Sequence, residues 1–251
     1  MKLWQRGGAA TLFLLALFIL WEVIVRWQEI PMWLLPAPSA IVTEGFQSLP
    51  DFIPHILATI ELTLVGLCIG ASIGFIIALM LHRLPIVNRM IYPLLILSQN
   101  VPTIVLAPLL IIWFGFGLLP KLIIISLVCF FPIVVATMDG LKNTDPALKH
   151  YMQMMGATKG QTFWKLELPY ALPSLFSGLK IAATYSVMGA VISEWLGAKK
   201  GIGVFMTYAQ SSFRIDRVFV AIFTIMLLSM ALFAVIQLLE RTLVKGRAKE
   251  V

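Results

Sequence analysis

The side chains that carry most enzyme chemistry are few and widely separated in this sequence. Its three histidines are scattered near the ends of apolar stretches, and its two cysteines lie inside such stretches, far apart along the chain. No His-Glu-x-x-His motif and no Gly-Lys dipeptide occurs, so the zinc-hydrolase motif and the phosphate-binding loop are both missing. We therefore expect no catalytic residue, no metal site, no disulfide and no ATP site in this chain.

Two amides and a proline interrupt an apolar stretch in the middle of the chain. Gln99 and Asn100 precede Pro102, and a second proline follows at Pro108. In hydrocarbon, polar side chains and a helix-breaking proline are tolerated only where a neighbouring helix or a water-filled cavity satisfies them. Gln99, Asn100 and Pro102 are therefore candidates for lining a solute pathway. The alternative is that they make hydrogen bonds between helices and have no transport role.

An acidic residue, Glu194, lies near the end of another apolar stretch, beside Trp195. An ionisable group at such a position is a candidate functional residue, because a charge in the membrane is costly. Glu194 could line the solute pathway, or it could pair with Arg214 or Arg217 at the outer surface. We favour the structural pairing over direct contact with solute.

The composition indicates a membrane protein in which these residues are carried by helices. Hydrophobic residues make up 60% and charged residues 12% of the 251 positions, and the mean hydropathy is +0.94. A helix needs about 20 mostly apolar residues to cross the hydrocarbon core. We therefore predict an all-α, polytopic protein with an uncleaved first span. Six runs meet the length requirement, near residues 9–25, 56–81, 94–114, 122–138, 174–196 and 218–239.

The second run contains Gly66, Gly70 and Gly74, each four residues apart. Small residues at this spacing form a ridge that lets two helix backbones approach closely in lipid. The ridge predicts helix packing rather than contact with a solute.

The distribution of basic residues predicts the orientation of the chain. Six spans place both termini on one side, and the loops of that side hold about twice as many Lys and Arg residues as the other loops. This asymmetry places both termini in the cytoplasm. It also explains the net charge of +7 without binding to nucleic acid.

The segment 139–173 is the longest polar-containing stretch between two runs, and it predicts a short amphipathic helix outside the membrane. Asp145 is a capping residue, Pro146 suits the first helical position, and Gly156 suits the end. A second helical turn is expected near Thr158, ended by Pro169. The apolar face of the first helix consists of Leu148, Tyr151, Met152 and Met155. Such a face either lies on lipid or fits the groove of another protein.

The second half of this segment resembles the loop of bacterial ABC importer permeases that is named after its Glu-Ala-Ala motif. Gly156 is followed by nine residues and then by Leu-Glu-Leu-Pro ending at Pro169, where the family has Ile-x-Leu-Pro. The Glu-Ala-Ala half is absent, since those positions hold His150, Tyr151 and Met152. A second likeness follows Glu194, in the pattern Ser-Glu-x-Leu-Gly-x-x-x-Gly-x-Gly. The resemblance spans about residues 36–241 and is greatest to permeases for sulfonates, nitrate, taurine and thiamine pyrimidine precursors.

The resemblance implies a type I ABC importer permease-like bundle with a cytoplasmic coupling helix, in a bacterial cell membrane. It implies three kinds of protein partner: cytosolic ABC ATPase subunits that hold ATP and Mg²⁺, an extracytoplasmic solute-binding protein, and a second permease copy. The solute would be a thiamine pyrimidine precursor or a sulfonate-, taurine- or nitrate-type anion. The residues expected to couple to the ATPase are Asp145, Pro146, Leu148, Tyr151, Met152, Met155, Gly156, Ala157, Leu166, Leu168 and Pro169.

We treat residues 1–251 as a single transmembrane permease domain. Residues 1–55 hold the first span and an outer loop, 56–239 hold five core spans with the loop 139–173, and 240–251 form a cytoplasmic tail.

Two other functional classes remain open. A secondary transporter driven by an ion gradient places ionisable residues near the midplane, whereas Glu61, Lys180 and Glu194 all lie toward the ends of runs. A membrane assembly subunit that transports nothing is the third possibility.

Overall fold

The computed structural model describes residues 2–244, and these residues form helices joined by short connections, with no strand among them. Residues 245–251 of the predicted tail lie outside the described part. A π-helical turn, Phe163–Glu167, joins α8 to α9. The helices are α1 Lys2–Trp27, α2 Pro38–Gln47, α3 Leu49–Arg83, α4 Pro85–Ser98, α5 Thr103–Phe114, α6 Leu118–Lys142, α7 Pro146–Met154, α8 Lys159–Thr162, α9 Leu168–Glu194, α10 Ile202–Ser211 and α11 Ile215–Leu243.

Four of the six predicted membrane-crossing runs correspond to single helices that are long and apolar enough to span a membrane. Within the described residues, α3, α6, α11 and the continuous helical stretch Lys159–Glu194 are each long and apolar enough to span a membrane. The pair α4 and α5 adds a fifth candidate, and α1 covers the first predicted run. The prediction of a polytopic, all-α protein is therefore confirmed.

The third predicted span is not the single straight helix that its hydropathy suggests. Helices α4 and α5 are separated by a break at residues 99–102 and bent by 98° relative to each other. Pro102 stands immediately before α5, where its missing N–H group and fixed φ angle prevent the helix from running through. The prediction of one span over 94–114 was wrong in this respect.

The expectation that Pro169 ends the second turn of the 139–173 segment was also wrong. The chain remains helical through the π-helical turn into α9, and Pro169 lies in the first turn of α9. The wider π-helical ladder before it accommodates a residue that cannot donate a hydrogen bond. The fifth span therefore begins at Leu168, six residues before the predicted start, and Pro173 lies within it.

The centre of the bundle is α6, which packs against α3 on one side and α9 on the other. Gly66, Gly70 and Gly74 are buried on the face of α3 that meets α6. A Cβ atom at Gly74 would lie 2.9 Å from the carbonyl oxygen of Phe130. The ridge therefore lets two backbones approach more closely than any side chain would allow.

A second cluster joins α2, α10 and α11 to the start of α3, through Ile41, Phe52, Ile202, Phe205 and Val220. The bundle consequently has two distinct ends. The α7 end holds the last residues of α3 and α6 and the start of α9. The α10 end holds the start of α3 and the end of α9.

Candidate functional site

Helix α7 forms where the local sequence predicts it. The Asp145 side chain accepts a hydrogen bond of 2.8 Å from the backbone N–H of Ala147, and Pro146 occupies the first helical position. Gly156 has a φ angle of +78°, which L-residues adopt at a cost and which glycine adopts freely. The cap, the proline and the glycine together fix a helix of nine residues, Pro146–Met154.

The apolar face of α7 is not covered by the rest of the chain. No residue of α7 is buried. Tyr151 is 56% exposed and Met155 is 70% exposed, with Leu148 also exposed and Met152 half-buried. Among residues 2–244, this face has no apolar partner that removes it from solvent. A short helix that presents an uncovered apolar face is typical of a segment that fits into the groove of another protein.

The chain returns from α7 to the membrane through a turn that is fixed by local hydrogen bonds. Thr158 and Gln161 form a reciprocal capping box at the start of α8, in which Gln161 Oε1 accepts from Thr158 N at 2.8 Å. Phe163 and Leu168 then pack inward. Leu168 therefore belongs to the base of the segment rather than to the exposed face of α7. Leu166 is half-buried, Ala157 is half-buried, and Pro169 is exposed.

A carboxylate that the sequence reasoning missed joins α7 to the bundle. Glu167 Oε1 forms an ion pair of 2.8 Å with Lys149 of α7, and Glu167 Oε2 lies 2.8 Å from His82 Nε2 at the end of α3. These groups line a cavity of about 630 Å³ between α3, α7 and α8. The sequence does contain one feature that singles out this residue, since Glu167 is the only acidic residue between Asp145 and Glu194.

The polar residues of the third predicted span lie at the break between α4 and α5. Gln99, Asn100 and Pro102 are all exposed on the single chain. Asn100 Nδ2 donates to the carbonyl oxygen of Leu97, in the same segment, at 3.3 Å. Within residues 2–244, neither amide side chain makes a hydrogen bond to another helix. A solute-path role for these residues stays a prediction.

Glu194 lies at the α10 end and is almost completely buried, with 2% of its surface exposed. Its Oε1 accepts from Thr59 Oγ1 at 2.7 Å, and its Oε2 accepts from the backbone N–H of Gly203 at 2.7 Å. Thr59 Oγ1 in turn accepts from the backbone N–H of Ile202 at 2.8 Å. The carboxylate and the Thr59 hydroxyl therefore each satisfy one of the unpaired N–H groups that begin α10, where a negative charge is also favoured by the helix dipole.

The glycines that follow Glu194 make this contact possible. A Cβ atom at Gly201 would overlap the Glu194 carboxylate, and Gly201 has a φ angle of +139°. A Cβ atom at Gly203 would lie 2.5 Å from the carbonyl oxygen of Val191. The two glycines of the Gly-x-Gly pattern thus leave the space that the α10 backbone needs to approach the carboxylate.

The predicted pairing of Glu194 with Arg214 or Arg217 was wrong. Arg214 forms ion pairs with Glu44 and Asp216 at 2.7 and 2.8 Å, and Arg217 pairs with Glu44 at 2.7 Å. Glu44 belongs to α2, whose position beside α11 is a long-range feature that the sequence pattern does not specify. In the sequence, α10 lies between Glu194 and both arginines. The backbone N–H of Gly203 in α10 donates to Glu194 in place of an arginine.

Beside Glu194 lies a small cavity of about 200 Å³ that contains further charged side chains. Glu61 of α3, Lys121 of α6 and Lys200 line it together with Glu194. Of the predicted site residues, the structure thus brings the α7 set together at one end of the bundle and Glu194 at the other. The amides at the α4–α5 break do not line the cavity beside Glu194.

Comparison with known proteins identifies one family model and several proteins that are similar to this chain. Residues 70–245 match the family model described as the binding-protein-dependent transport system inner membrane component. The formylaminopyrimidine transport permease protein ThiX of Halalkalibacterium halodurans is 39% identical over 241 residues, which are 96% of each chain. The riboflavin transport system permease protein RibX of Chloroflexus aurantiacus is 30% identical over 244 residues, 96% of this chain and 90% of that one.

Two further matches have lower sequence identity. The putative aliphatic sulfonates transport permease protein SsuC of Bacillus subtilis is 28% identical over 247 residues, 97% of this chain and 88% of that one. A crystal structure of an amino acid ABC transporter with histidines superposes with a TM-score of 0.67, covering 80% of this chain and 98% of that one. At 16% identity, this last match shows a shared fold.

Proposed function

Because the chain belongs to the family of binding-protein-dependent transport system inner membrane components, and is thus the permease subunit of an ABC importer, we propose that separate cytosolic ATPase subunits drive it by docking on α7. The observation that supports this proposal is the uncovered apolar face of α7, on a helix whose two ends are fixed by local caps. In this proposal the α7 end and both termini face the cytoplasm, as the distribution of Lys and Arg residues favours.

In the proposed mechanism, α7 is the segment on which the ATPase subunits act. Closure of the ATPase subunits on ATP and Mg²⁺, which they alone bind, displaces α7 toward the closing interface. The chain from α8 through the π-helical turn to α9 is continuously helical, so a displacement of the segment is passed to a membrane span. The bundle then changes between two packings that open to opposite sides, and the nucleotide state of the motor determines which one is populated.

We propose a small polar organic solute, with a pyrimidine precursor of thiamine favoured and sulfonate-, taurine- or nitrate-type anions as alternatives. The support is the similarity to a formylaminopyrimidine permease at 39% identity, together with the weaker similarity to sulfonate permeases. An extracytoplasmic solute-binding protein delivers the solute. A second copy of the chain completes the path, with the amides at the α4–α5 break facing it rather than lipid.

The test is reconstitution of the purified chain with the ATPase and solute-binding proteins that co-purify with it from its native membrane. The ligand retained by the solute-binding protein is identified by mass spectrometry and then used in vesicles. We expect uptake that requires ATP and is insensitive to an ionophore. Uptake that survives ATP depletion and collapses with an ionophore contradicts the proposal in favour of a gradient-driven transporter, and the absence of any flux contradicts transport itself.

A further inference from the structure

Very little of the described chain holds α7 to the bundle. None of its residues is buried, and its apolar face points away from the other helices. Among the described residues, the ion pair that joins α7 to the membrane spans is the one between Lys149 and Glu167. A force applied to α7 therefore reaches the spans along the backbone, into α6 through residues 143–145 and into α9 through α8, or through this ion pair.

Glu167 uses both carboxylate oxygens and so connects three elements. One oxygen binds Lys149 of α7, the other contacts His82 in the last turn of α3, and Glu167 itself immediately precedes α9. The two distances are both 2.8 Å. Helix α3 is not adjacent to α7 in sequence, so the carboxylate is a connection that the backbone does not supply.

The environment of this carboxylate favours a specific geometry over a mobile surface contact. The side chain of Glu167 is 14% exposed, and those of His82 and Lys149 are 19% and 27% exposed. The ring of Phe163 packs beside these side chains. Its centre lies 6.0 Å from the centre of the His82 ring and 4.9 Å from Cζ of the Arg83 guanidinium. Charged hydrogen bonds that are shielded from water are stronger and more directional than those on an open surface.

We propose that Glu167 is a positioning residue that transfers the displacement of α7 to α3, in addition to the displacement that α9 receives through the backbone. This inference rests on the proposed docking of the ATPase on α7. With the link intact, α3 and α9 move together when α7 moves. Without it, α7 still docks, but α3 follows only through its packing against α6 and α9, and ATP hydrolysis is less often accompanied by passage of solute.

The experiment measures solute transported per ATP hydrolysed by the reconstituted complex, alongside co-purification of the ATPase. The variants are Glu167→Gln, Lys149→Glu and His82→Leu, with Lys165→Gln as the matched control. Lys165 lies in the same π-helical turn, is exposed, and has no ion pair within residues 2–244. We expect the three link variants to retain co-purification while the transport ratio falls about tenfold, within the usual range for coupling between sites. The control keeps the wild-type ratio.

The charge-exchanged double variant K149E/E167K separates a role in coupling from a general loss of structure. It restores an ion pair between α7 and the base of α9, with the two charges exchanged. We expect its transport ratio to recover to within about threefold of wild type, since a pair in direct contact shows non-additive effects.

Three results would overturn the inference: a wild-type ratio in E167Q or H82L, no recovery in the double variant, or loss of co-purification in E167Q, which would assign Glu167 to docking. Failure of the proposed function is distinguishable, because the wild-type complex would then show no ATP-dependent uptake at all.

Discussion

The two carboxylates that border α9 are held in opposite ways. Glu194 at the α10 end is 2% exposed and is bound by a hydroxyl and a backbone N–H group. The side chain of Glu167 at the α7 end is 14% exposed and contacts the ionisable side chains of Lys149 and His82. Separating Glu194 from its donors exposes the start of α10, whereas separating Glu167 from its partners leaves every helix intact. The α10 end is therefore a fixed junction, and the α7 end is one that can move.

The glycines at the two ends show the same difference. Gly201 is required for space, because a Cβ atom there would overlap the Glu194 carboxylate. Gly156 has open space around its Cα atom and is required only for its φ angle of +78°. A substitution at the first position must disturb packing, while one at the second disturbs only the local turn. The following predictions test this contrast, from the largest expected effect to the smallest.

Gly201→Ala should destabilise the protein by about 3 kcal/mol, since strain at an unfavourable φ angle adds to overpacking against Glu194. The measurement is the thermal unfolding of the detergent-purified chain. Gly117→Ala is the control, because Gly117 has an extended backbone and no heavy atom within 4 Å of the added Cβ. If G201A and the wild type have the same unfolding temperature, the α10 junction is not tightly packed.

Glu194→Gln should cost about 2 kcal/mol, because an NH₂ group with two donors replaces an oxygen that accepts a hydrogen bond, and at least one N–H or O–H group then stays buried without an acceptor. Thermal unfolding again provides the measurement. Glu61→Gln, which lines the same cavity from an exposed position, should unfold as the wild type does. If E194Q keeps its stability but raises the KM for solute uptake, Glu194 contacts the solute and the structural interpretation fails.

Replacing Tyr151 and Met155 together with Asp should weaken co-purification of the ATPase at least tenfold, because two large side chains at the centre of an interface carry much of its affinity. Thermal stability should be unchanged, since both side chains are exposed. Gln153→Asp, on the side of α7 that lines the cavity, is the control for added charge. Undiminished co-purification would place the apolar face on the lipid surface instead.

Gly156→Val should reduce affinity for the ATPase about fivefold, because a β-branched residue pays about 1–2 kcal/mol in a left-handed conformation. The unfolding temperature should stay that of the wild type. Gly156→Asn is the matched control, as asparagine tolerates this conformation. The result is read from binding of the purified ATPase to the immobilised chain, and equal binding by both variants would remove the requirement for a positive φ angle.

The features predicted correctly from the sequence are those that depend on neighbours along the chain. Helix α7 was placed by Asp145, Pro146 and Gly156, whose effects act within one or two turns. The membrane runs were found for the same reason, since hydropathy is a local property. Pro169 was misjudged because the π-helical turn that accommodates it is not signalled by hydropathy or capping.

The features that sequence reasoning missed depend on contacts between distant segments. Thr59 meets Glu194 across 135 residues, a separation that no local pattern encodes. His82 and Glu167 are likewise 85 residues apart. Gln99 and Pro102 did mark a break in the third run, but the bend of 98° between α4 and α5 is not encoded in its hydropathy. Charge alone suggested arginine partners for Glu194, because the intervening position of α10 is a tertiary feature.

The continuous helical stretch Lys159–Glu194 has 36 residues, which at 1.5 Å per residue corresponds to about 54 Å. The hydrocarbon core takes up only about 30 Å of this length, so the remainder projects beyond it. If the stretch pivots at the Glu194 junction, a rotation of about 6° sweeps its far tip through roughly 5–6 Å, about the pitch of one α-helical turn. Because the α10 end of the stretch is held more tightly than its α7 end, a small rotation of the helix inside the membrane corresponds to a large displacement at Lys159, next to α7.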